Sequence, residues 1–236
     1  MKVGVAVTTR NRPDVLKRCL DNILEHSPDD FVVAVVDDAS DTPVEVQDGV
    51  ILYRFDENAG IPRAKNKCIE ILIDEGCDEL FLFDDDTWPK RNNWWKPYVE
   101  NEQPHLMYIF TAYGNQRSGI RKLGIDTGRN LARYSHFRGC MLYLNKSVVE
   151  KVGGMRKEFG VGGFEHSEYS DRIHRNGLTR FRSQDILNSD KYIYSADEHL
   201  EVASTFTQEA RDYWFNRNRP LKFKFMAKKG YVDYRE

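Results

Sequence analysis

The sequence predicts an α/β fold in a single domain, with helices flanking a mixed, mainly parallel central sheet. Strand-like apolar runs alternate with amphipathic helical segments as far as residue 86. That alternation is typical of βα units with a parallel sheet. A length of 236 residues suits one large domain. The chain has neither a GxGxxG motif nor a Walker-type phosphate loop, which argues against a dinucleotide-binding fold and a P-loop enzyme.

Four strands and two helices are predicted in the first half of the chain. Apolar side chains at helical spacing mark the first helix, including Val15, Leu16, Cys19, Leu20 and Ile23. Prolines near the start of both helical segments agree with these boundaries. The predicted strands cover residues 2–8, 31–36, 50–55 and 80–83, and the predicted helices cover about residues 13–26 and 62–75.

The second half of the chain is less regular. Residues 113–135 are rich in glycine, arginine and asparagine, and they predict a long excursion over the site. A glycine-rich loop at 159–164 leads into an acidic helix that runs to about Asn176 and stops at Gly177. The other predicted elements are strands at 106–112, 137–144, 178–182 and 192–196, and a short helix at 146–152.

Polar clusters follow three of the predicted strands, at residues 8–10, 37–38 and 84–86. Ligands bind beyond the carboxyl ends of the strands in open α/β sheets, so we expect the three clusters on one edge. Adjacent carboxylates resist ionising together, and a divalent cation would offset that cost. Asp84 and Asp86 are the better pair because alternate residues of an extended segment point to the same side. A solvated turn is the alternative explanation.

The composition is that of a soluble globular protein, with 40% hydrophobic and 31% charged residues. A net charge of -2 gives no general attraction to nucleic acid or anionic membranes. No apolar run reaches the roughly 18 residues of a membrane-spanning helix, and the apolar N-terminal run is too short for a signal peptide. The four cysteines lack CxxC spacing, which predicts buried free thiols. Together these features predict a cytoplasmic protein.

Four motifs in order resemble one family of enzymes. They are VTTRNR at residues 7–12, VVDDASD at 35–41, NAGIPRAKN at 58–66 and the aspartates at 84–86. The likeness resumes at residues 138–141, at the glycine pair 153–154 and in the acidic helix. The chain resembles nucleotide-sugar glycosyltransferases of the GT-A fold, a Rossmann-like architecture, nearest to the family 2 type. The resemblance implies a metal-dependent transfer of a sugar from a nucleoside diphosphate sugar, UDP-linked, to an acceptor hydroxyl.

The resemblance also implies roles for the strand-end residues. Asp38 would accept a hydrogen bond from a uracil-type imide, and Thr8, Thr9, Arg10 and Asn58 would line the nucleoside pocket. Arg63 and Lys67 are placed where cations meet a diphosphate. The aspartates resemble the DxD motif: Asp84 and Asp86 would hold Mn²⁺ or Mg²⁺, and Asp84 and Asp85 would face the donor. His199, after a late strand, is the candidate third metal ligand.

The catalytic base is expected at the start of the acidic helix. Inverting members of the family carry Glu-Asp-x-Asp there, with an arginine seven residues after the glutamate. Glu165-His166-Ser167-Glu168 keeps that spacing to Arg172, with His166 at the position of the usual aspartate base. A neutral imidazole accepts a proton near pH 7, and Glu165 and Glu168 remain the alternatives. Acidic residues also favour a helix N-terminus for structural reasons alone.

The predicted domain organisation has three parts. Residues 1–90 form a nucleotide-sugar-binding half and residues 91–205 an acceptor-binding half of one GT-A domain, followed by a basic, aromatic extension at 206–236. The acceptor is a glycan, a protein or a modified base of phage DNA. Basic residues among aromatics also suit nucleic acid, so a non-catalytic carbohydrate- or nucleic-acid-binding module is the alternative. An amphipathic cover over the sheet is the structural explanation of the extension.

Overall fold

The computed structural model describes residues 1–235, so the last residue of the predicted extension 206–236 lies outside it. Its helices are α1 (Pro13–His26), α2 (Ile61–Asp74), α3 (Lys96–Val99), α4 (Lys146–Val152), α5 (Glu165–Arg175) and α6 (Gln208–Phe225). Its strands are β1 (Val3–Thr9), β2 (Val32–Asp37), β3 (Ile51–Arg54), β4 (Glu79–Asp84), β5 (Thr87–Pro89), β6 (His105–Met107), β7 (Ala112–Tyr113), β8 (Gln116–Arg117), β9 (Lys122–Asp126), β10 (Leu131–Tyr134), β11 (Met141–Asn145), β12 (Gln184–Ile186) and β13 (Ile193–Ser195).

The central sheet has six strands in the order β3-β2-β1-β4-β11-β6. The first four pair in parallel, and β11 pairs antiparallel with both β4 and β6. The predicted mixed, mainly parallel sheet is therefore confirmed. Because β1, β2 and β4 are parallel neighbours, their carboxyl ends meet at one edge, where the polar clusters of the sequence stand.

Two hydrophobic cores lie on opposite faces of this sheet. Val5 and Val7 of β1 pack into the core that contains the buried side of α1, whereas Ala6 packs into the core that contains α2, α4 and α5. This alternation is the period-two pattern of a strand buried on both faces. At Gly4, a Cβ atom would stand 2.6 Å from Leu72 Cδ2, so α2 packs closely on β1.

The second half differs from the prediction in several places. The strands predicted at 106–112 and 137–144 are confined to β6 and β11, and the sequence did not predict α6. Residues 113–135 are not one irregular excursion, because they contribute to the β7–β8 hairpin and to β9 and β10, which join β12 in a three-stranded sheet. The strand predicted at 178–182 is wrong, and the strand forms at β12 instead. The chain bends there because the Phe181 N–H donates to the side chain of Gln184, 3.0 Å away.

The C-terminal segment packs back onto the body of the protein. Thr207 caps α6 by accepting from the Ala210 N–H at 3.2 Å, and Asn218 and Phe225 are its buried residues. Beyond the helix, Val232 forms a parallel bridge with Gly153. The Gly154 N–H donates to Val232 O at 2.8 Å, and Val232 N–H donates to Val152 O at 3.0 Å. The segment therefore completes the structure around α4.

Asp185 gives the fold a measurable pH dependence. Its carboxylate is buried and accepts from the N–H groups of Ile109 and Ile186, which ties β12 to the end of β6. Burial raises the pKa of Asp185 to about 7, against the opposing effect of these hydrogen bonds. A raised carboxyl pKa stabilises the fold below the unfolded value of ~4 and loses that contribution as the pH rises through ~7.

We therefore expect Asp185→Asn to flatten the pH profile of stability. The wild-type free energy of unfolding should fall relative to the variant by on the order of 2 kcal/mol between pH 5 and pH 8. Urea unfolding of both proteins at the two pH values measures this difference. Parallel profiles for the two proteins would contradict the assignment.

Candidate active site

A cavity of about 490 Å³ opens at the carboxyl edge of the sheet. The ends of β1, β2 and β4 build one wall, and α6 with the segment before it builds the other. The structure thus brings together most of the side chains that the sequence assigns to donor and metal binding. Those that line the cavity are Thr8, Thr9, Arg10, Asp38, Asn58, Asp84 and Asp86.

The three consecutive aspartates separate into two environments. Asp84 and Asp86 stand at the cavity wall, whereas Asp85 is fully buried and accepts from Thr9 Oγ1 at 2.6 Å. Arg12 donates to both Asp85 and Asp86 and also lines the cavity. Burial raises the pKa of Asp85 to about 7, because its effect is larger than the opposing effect of the Arg12 charge. Asp85 therefore contacts protein groups, and its predicted role toward the donor stays a prediction.

Negative charge accumulates where Asp84 and Asp86 face the cavity. Asp197, which follows β13, lines the same cavity. Burial raises the pKa of Asp86, and the negative charges of Asp84 and Asp197 raise it further. The positive charge of Arg12 opposes this rise. Carboxylate oxygens are the ligands that Mg²⁺ and Mn²⁺ prefer, so these side chains have the right ligand atoms for a hard divalent cation.

The arrangement of these carboxylates is looser than a preformed metal centre. Within residues 1–235, no group of three or more histidine, cysteine or acidic side chains is arranged to hold a metal ion. Lys65 Nζ lies 2.7 Å from Asp84 Oδ1, so a protein cation partly neutralises the pair. The imidazole of His199 stacks on Tyr194, with ring centroids 4.5 Å apart, and does not line the cavity. His199 as a metal ligand stays a prediction, and Asp197 is the neighbour that the sequence did not single out.

Asp38 accepts hydrogen bonds from the two residues that precede α2. Its carboxylate accepts from the N–H groups of Ala59 at 2.6 Å and Gly60 at 3.0 Å. Gly60 has φ +85, and a Cβ there would stand 2.3 Å from the Gly160 carbonyl oxygen, so only glycine allows this approach. Burial raises the pKa of Asp38 against the effect of these two N–H groups. Asp38 thus holds the start of α2 beside the cavity and is itself part of the cavity lining.

The cation that reaches the site from α2 is Lys65. It is 1% exposed, lines the neighbouring pocket and donates to the Phe83 carbonyl oxygen at 2.7 Å. Arg63 is exposed, and Lys67 pairs with Glu70 and lies 4.7 Å from the ring centroid of Tyr53. Neither Arg63 nor Lys67 is among the residues that line the two pockets, so their contact with a diphosphate remains a prediction.

A second pocket of about 340 Å³ adjoins the first and holds the predicted catalytic histidine. The two share Ile61, Asp84 and Asp197 in their walls. We call the first space the donor cavity and the second the catalytic pocket. Glu165 and His166, at the start of α5, line the catalytic pocket together with Lys65, Arg138 and Phe215. The carboxylate edge of the sheet and the start of α5 therefore face adjoining spaces.

Glu165 and His166 form a hydrogen-bonded pair. His166 Nδ1 lies 2.9 Å from Glu165 Oε1, and the imidazole is partly exposed to the pocket while the carboxylate is buried. Burial acts to raise the pKa of Glu165, but the hydrogen bond and charge of His166, together with the backbone N–H groups of Glu165 and Gly163, lower that pKa overall. An ionised Glu165 favours a proton on Nδ1, which leaves Nε2 as an acceptor.

Gly139 lies close against the imidazole of this pair. A Cβ atom at Gly139 would stand 2.9 Å from both Cγ and Nδ1 of His166. That separation is too short for carbon and nitrogen atoms without a shift of the ring.

Glu168 lies in a different environment. It is buried, and its Oε1 pairs with Arg172 Nε at 3.1 Å and Arg156 Nε at 3.2 Å. Arg172 is fully buried and also donates to the carbonyl oxygens of Val152 and Gly154. Glu168 therefore anchors α5 to the segment after α4 and is not among the residues that line the catalytic pocket. Its role as a base stays a prediction.

Three buried polar atoms of the site have no hydrogen-bond partner within the described part of the chain. They are Arg10 Nε, Glu165 Oε2 and Arg138 Nη2. Arg138 is held by its stacking over Phe110, with Cζ 3.7 Å from the ring centroid. Buried polar atoms are normally satisfied, so these three are the groups expected to meet a polar ligand.

Helix α6 closes the site from the side opposite the sheet. Arg211 and Trp214 line the donor cavity, and Phe215 lines the catalytic pocket. Asn218 holds the helix there, because its Nδ2 donates to the carbonyl oxygens of Phe159 and Gly162, each at 2.7 Å. The sequence marked this segment as basic and aromatic but gave no motif that places it at the site.

Comparisons with known proteins identify the family of this chain. The sequence model of the family described as Glycosyl transferase family 2 matches residues 4–148. An uncharacterized glycosyltransferase of Acanthamoeba polyphaga mimivirus is 27% identical over 226 residues, covering 87% of this chain and 84% of the relative. The fold is that of a GT-A glycosyltransferase. The chain belongs to glycosyl transferase family 2, which favours the enzyme over a non-catalytic binding module.

Solved glycosyltransferase structures share the fold. Mannosyltransferase PcManGT from Pyrobaculum calidifontis, in complex with GDP-Man and Mn²⁺, has a TM-score of 0.54 and 17% identity, covering 77% of this chain and 54% of its own. Residues 1–349 of TarS from S. aureus have a TM-score of 0.57 and 15% identity, covering 83% of this chain and 60% of their own. The chain thus spans between half and two thirds of these two structures.

The helices of residues 1–235 include none with both the length and the apolar character needed to cross a membrane.

Proposed function

We propose that this glycosyltransferase transfers a sugar from a nucleoside diphosphate sugar, UDP-linked, to an acceptor hydroxyl, with a divalent metal and with inversion. One observation carries the proposal. The donor cavity, lined by Asp84 and Asp86, adjoins the pocket of Glu165 and His166, and Ile61, Asp84 and Asp197 line both. Such an arrangement allows a charged leaving group on one side and a proton acceptor on the other.

The nucleoside end of the donor would lie against the ends of β1 and β2. Asp38 would accept from the imide of the base, and Thr8, Thr9 and Asn58 would line the nucleoside. Arg10, with its unpartnered Nε, would donate to the ligand. Trp214 would pack against it from α6. A solved complex of TarS with UDP-GlcNAc, TM-score 0.55 at 13% identity, supports a nucleotide sugar as ligand of this fold.

Asp84 and Asp86 would hold Mn²⁺ or Mg²⁺, with Asp197 as an additional carboxylate near them. When bound, such a cation neutralises charge on the leaving diphosphate. The solved complex of PcManGT with Mn²⁺ supports this assignment. Lys65 would add a fixed positive charge beside Asp84, and Arg63 and Lys67 are proposed to approach the diphosphate from α2.

The acceptor hydroxyl would lose its proton to Nε2 of His166, with Glu165 holding the ring through Nδ1. The acceptor oxygen bonds to the anomeric carbon as the bond from that carbon to the diphosphate oxygen breaks. The nucleoside diphosphate leaves with the electron pair of that bond. Attack on the face opposite the leaving group inverts the anomeric centre. In this scheme residues 1–90 bind the donor, residues 91–205 bind the acceptor, and the extension from residue 206 covers both.

A screen of nucleotide sugars tests the proposal. The full chain is incubated with UDP- and GDP-linked sugars, with Mn²⁺, with Mg²⁺ or with a chelator, and release of nucleoside diphosphate is measured. We expect metal-dependent turnover with a UDP-sugar. Absence of metal-dependent binding or turnover with every donor would overturn the proposal.

The docking of α6 makes a separate prediction. Asn218→Ala leaves two buried carbonyl oxygens unpaired, at a cost of about 1–3 kcal/mol, and should loosen the wall that carries Trp214. We expect the KM for the donor to rise about tenfold with a smaller change in kcat. Asn216→Ala is the matched control, since Asn216 is exposed on the same helix. Equal KM values in both variants would show that α6 does not form part of the donor site.

A further inference from the structure

A basic depression of about 320 Å³ lies beside the catalytic pocket. Arg133, Arg180 and Arg182 line it together with Phe181, and Phe137 lines both this depression and the catalytic pocket. Nothing in the proposed donor binding or proton transfer uses these arginines. We call this space the arginine depression.

Positive charge in the arginine depression is only partly balanced. Asp126 forms ion pairs with both Arg129 and Arg180, and the distance from Arg180 Nη2 to Asp126 Oδ2 is 3.6 Å. Asp171 forms ion pairs with both Arg175 and Arg182. Arg133 is exposed and lies over the ring of Phe181, whereas the ion pairs of Asp126 and Asp171 are with the other arginines. The excess charge therefore faces solvent at the edge of the catalytic pocket.

The guanidinium groups are held by aromatic rings. The Cζ atoms of Arg133 and Arg180 lie 5.3 and 5.5 Å from the ring centroid of Phe181. The Cζ atom of Arg182 lies 5.7 Å from the ring centroid of Phe137. Such cation–π contacts restrict the guanidinium groups and so reduce the entropy lost when they bind an oxyanion. Burial, followed by the charge of Arg182, lowers the pKa of Lys222 on α6, so the crowding of cations extends to that helix.

We propose that the arginine depression is an acceptor subsite for an oxyanion, so that the acceptor is a glycan bearing phosphate or carboxylate groups. Its anionic group binds Arg133 and Arg180 while a neutral hydroxyl of the same molecule extends past Phe137 to His166. This inference rests on the proposed transfer to a hydroxyl at His166. The depression also explains why a chain with a net charge of -2 concentrates arginines beside its catalytic pocket.

Binding experiments with small sugars test the subsite. The full chain is first titrated with UDP in the presence of Mn²⁺, and then, with UDP saturating, with glucose 6-phosphate, glucuronate or glucose. We expect both anionic sugars to bind at least about tenfold more tightly than glucose. Arg133→Gln and Arg180→Gln should each remove most of that preference. A preference for phosphate over carboxylate identifies which group the natural acceptor carries.

Arg91→Gln is the matched control, because Arg91 is exposed and stacks on Tyr192 with Cζ 5.4 Å from the ring centroid. It should leave the preference unchanged. Equal binding of the three sugars, or a preference that survives both Arg133→Gln and Arg180→Gln, would overturn the subsite. So would a single-stranded oligonucleotide that binds the wild type more tightly than either anionic sugar and loses affinity in Arg133→Gln. Failure to bind UDP would count against the proposed donor alone, since the comparison of Arg133→Gln with Arg91→Gln still reports on the depression.

Discussion

Asp86→Asn should strongly reduce metal-dependent turnover without weakening the fold. The substitution removes one of the carboxylates proposed to hold the cation, and we expect kcat/KM to fall by about 10²- to 10³-fold. Burial and the charge of Asp84 already raise the pKa of Asp86, so its negative charge is unfavourable in the folded protein. Arg12 keeps Asp85 as a partner. The free energy of unfolding should therefore stay the same or increase, as expected where a functional group is kept at the expense of stability.

Asp56→Asn provides the control for the change in charge. Asp56 is exposed just beyond the end of β3 and is not among the residues that line the donor cavity. Steady-state turnover at several Mn²⁺ concentrations and urea unfolding measure both effects. Retained turnover in Asp86→Asn would refute the metal assignment, and a large loss of stability would assign Asp86 a structural role instead.

His166→Ala should reduce sugar transfer by about 10²- to 10⁴-fold while donor affinity is kept, because the residue is proposed to accept the proton and not to hold the nucleotide. Glu165→Gln should give a smaller loss and a changed pH profile, since the amide no longer fixes the proton on Nδ1. His136→Ala is the control, because His136 is exposed outside the catalytic pocket. Undiminished turnover in His166→Ala would move the base to a carboxylate.

The position of the imidazole is tested separately by Gly139→Ala. The added methyl group would stand 2.9 Å from the ring, so we expect the ring to shift and kcat to fall while the donor KM changes little. Glu168→Gln should behave differently, because it breaks the buried ion pairs with Arg156 and Arg172 and should cost about 3–5 kcal/mol of stability. A normal Tm with low activity in Glu168→Gln would favour Glu168 as the base.

Much of the site edge was predictable from the sequence, because strand ends carry the chemistry in a parallel sheet. The apolar run before Asp84 and the alternation along an extended chain place Asp84 and Asp86 on one wall. Helical periodicity also predicts that Lys65 faces inward, since Ile61, Lys65 and Cys68 share one face of α2. A lysine on an inward face is unusual and marks the cation that reaches the site.

The rest depends on contacts between residues far apart in the chain. Asp197 approaches Asp86 only because β13 pairs with β5, a three-residue strand with no strong pattern of its own. Trp214 and Phe215 reach the two pockets because Asn218 bonds to backbone carbonyls of the loop at 159–162. The displaced strand near residue 180 depends on the side chain of Gln184. Local propensity carries no information about such partners.

The bridge between Gly153 and Val232 has a consequence for biosynthesis. About 80 residues separate these two positions, and α4 and α5 remain without their C-terminal partner until Val232 has been made. At ribosomal rates of 5–20 residues per second, that interval is roughly 4–16 s. The β1–β4 sheet, whose strands lie within the first 84 residues, can pair during this time. The nascent chain should therefore carry an ordered β1–β4 sheet edge before α4 and α5 are secured by the C-terminal segment.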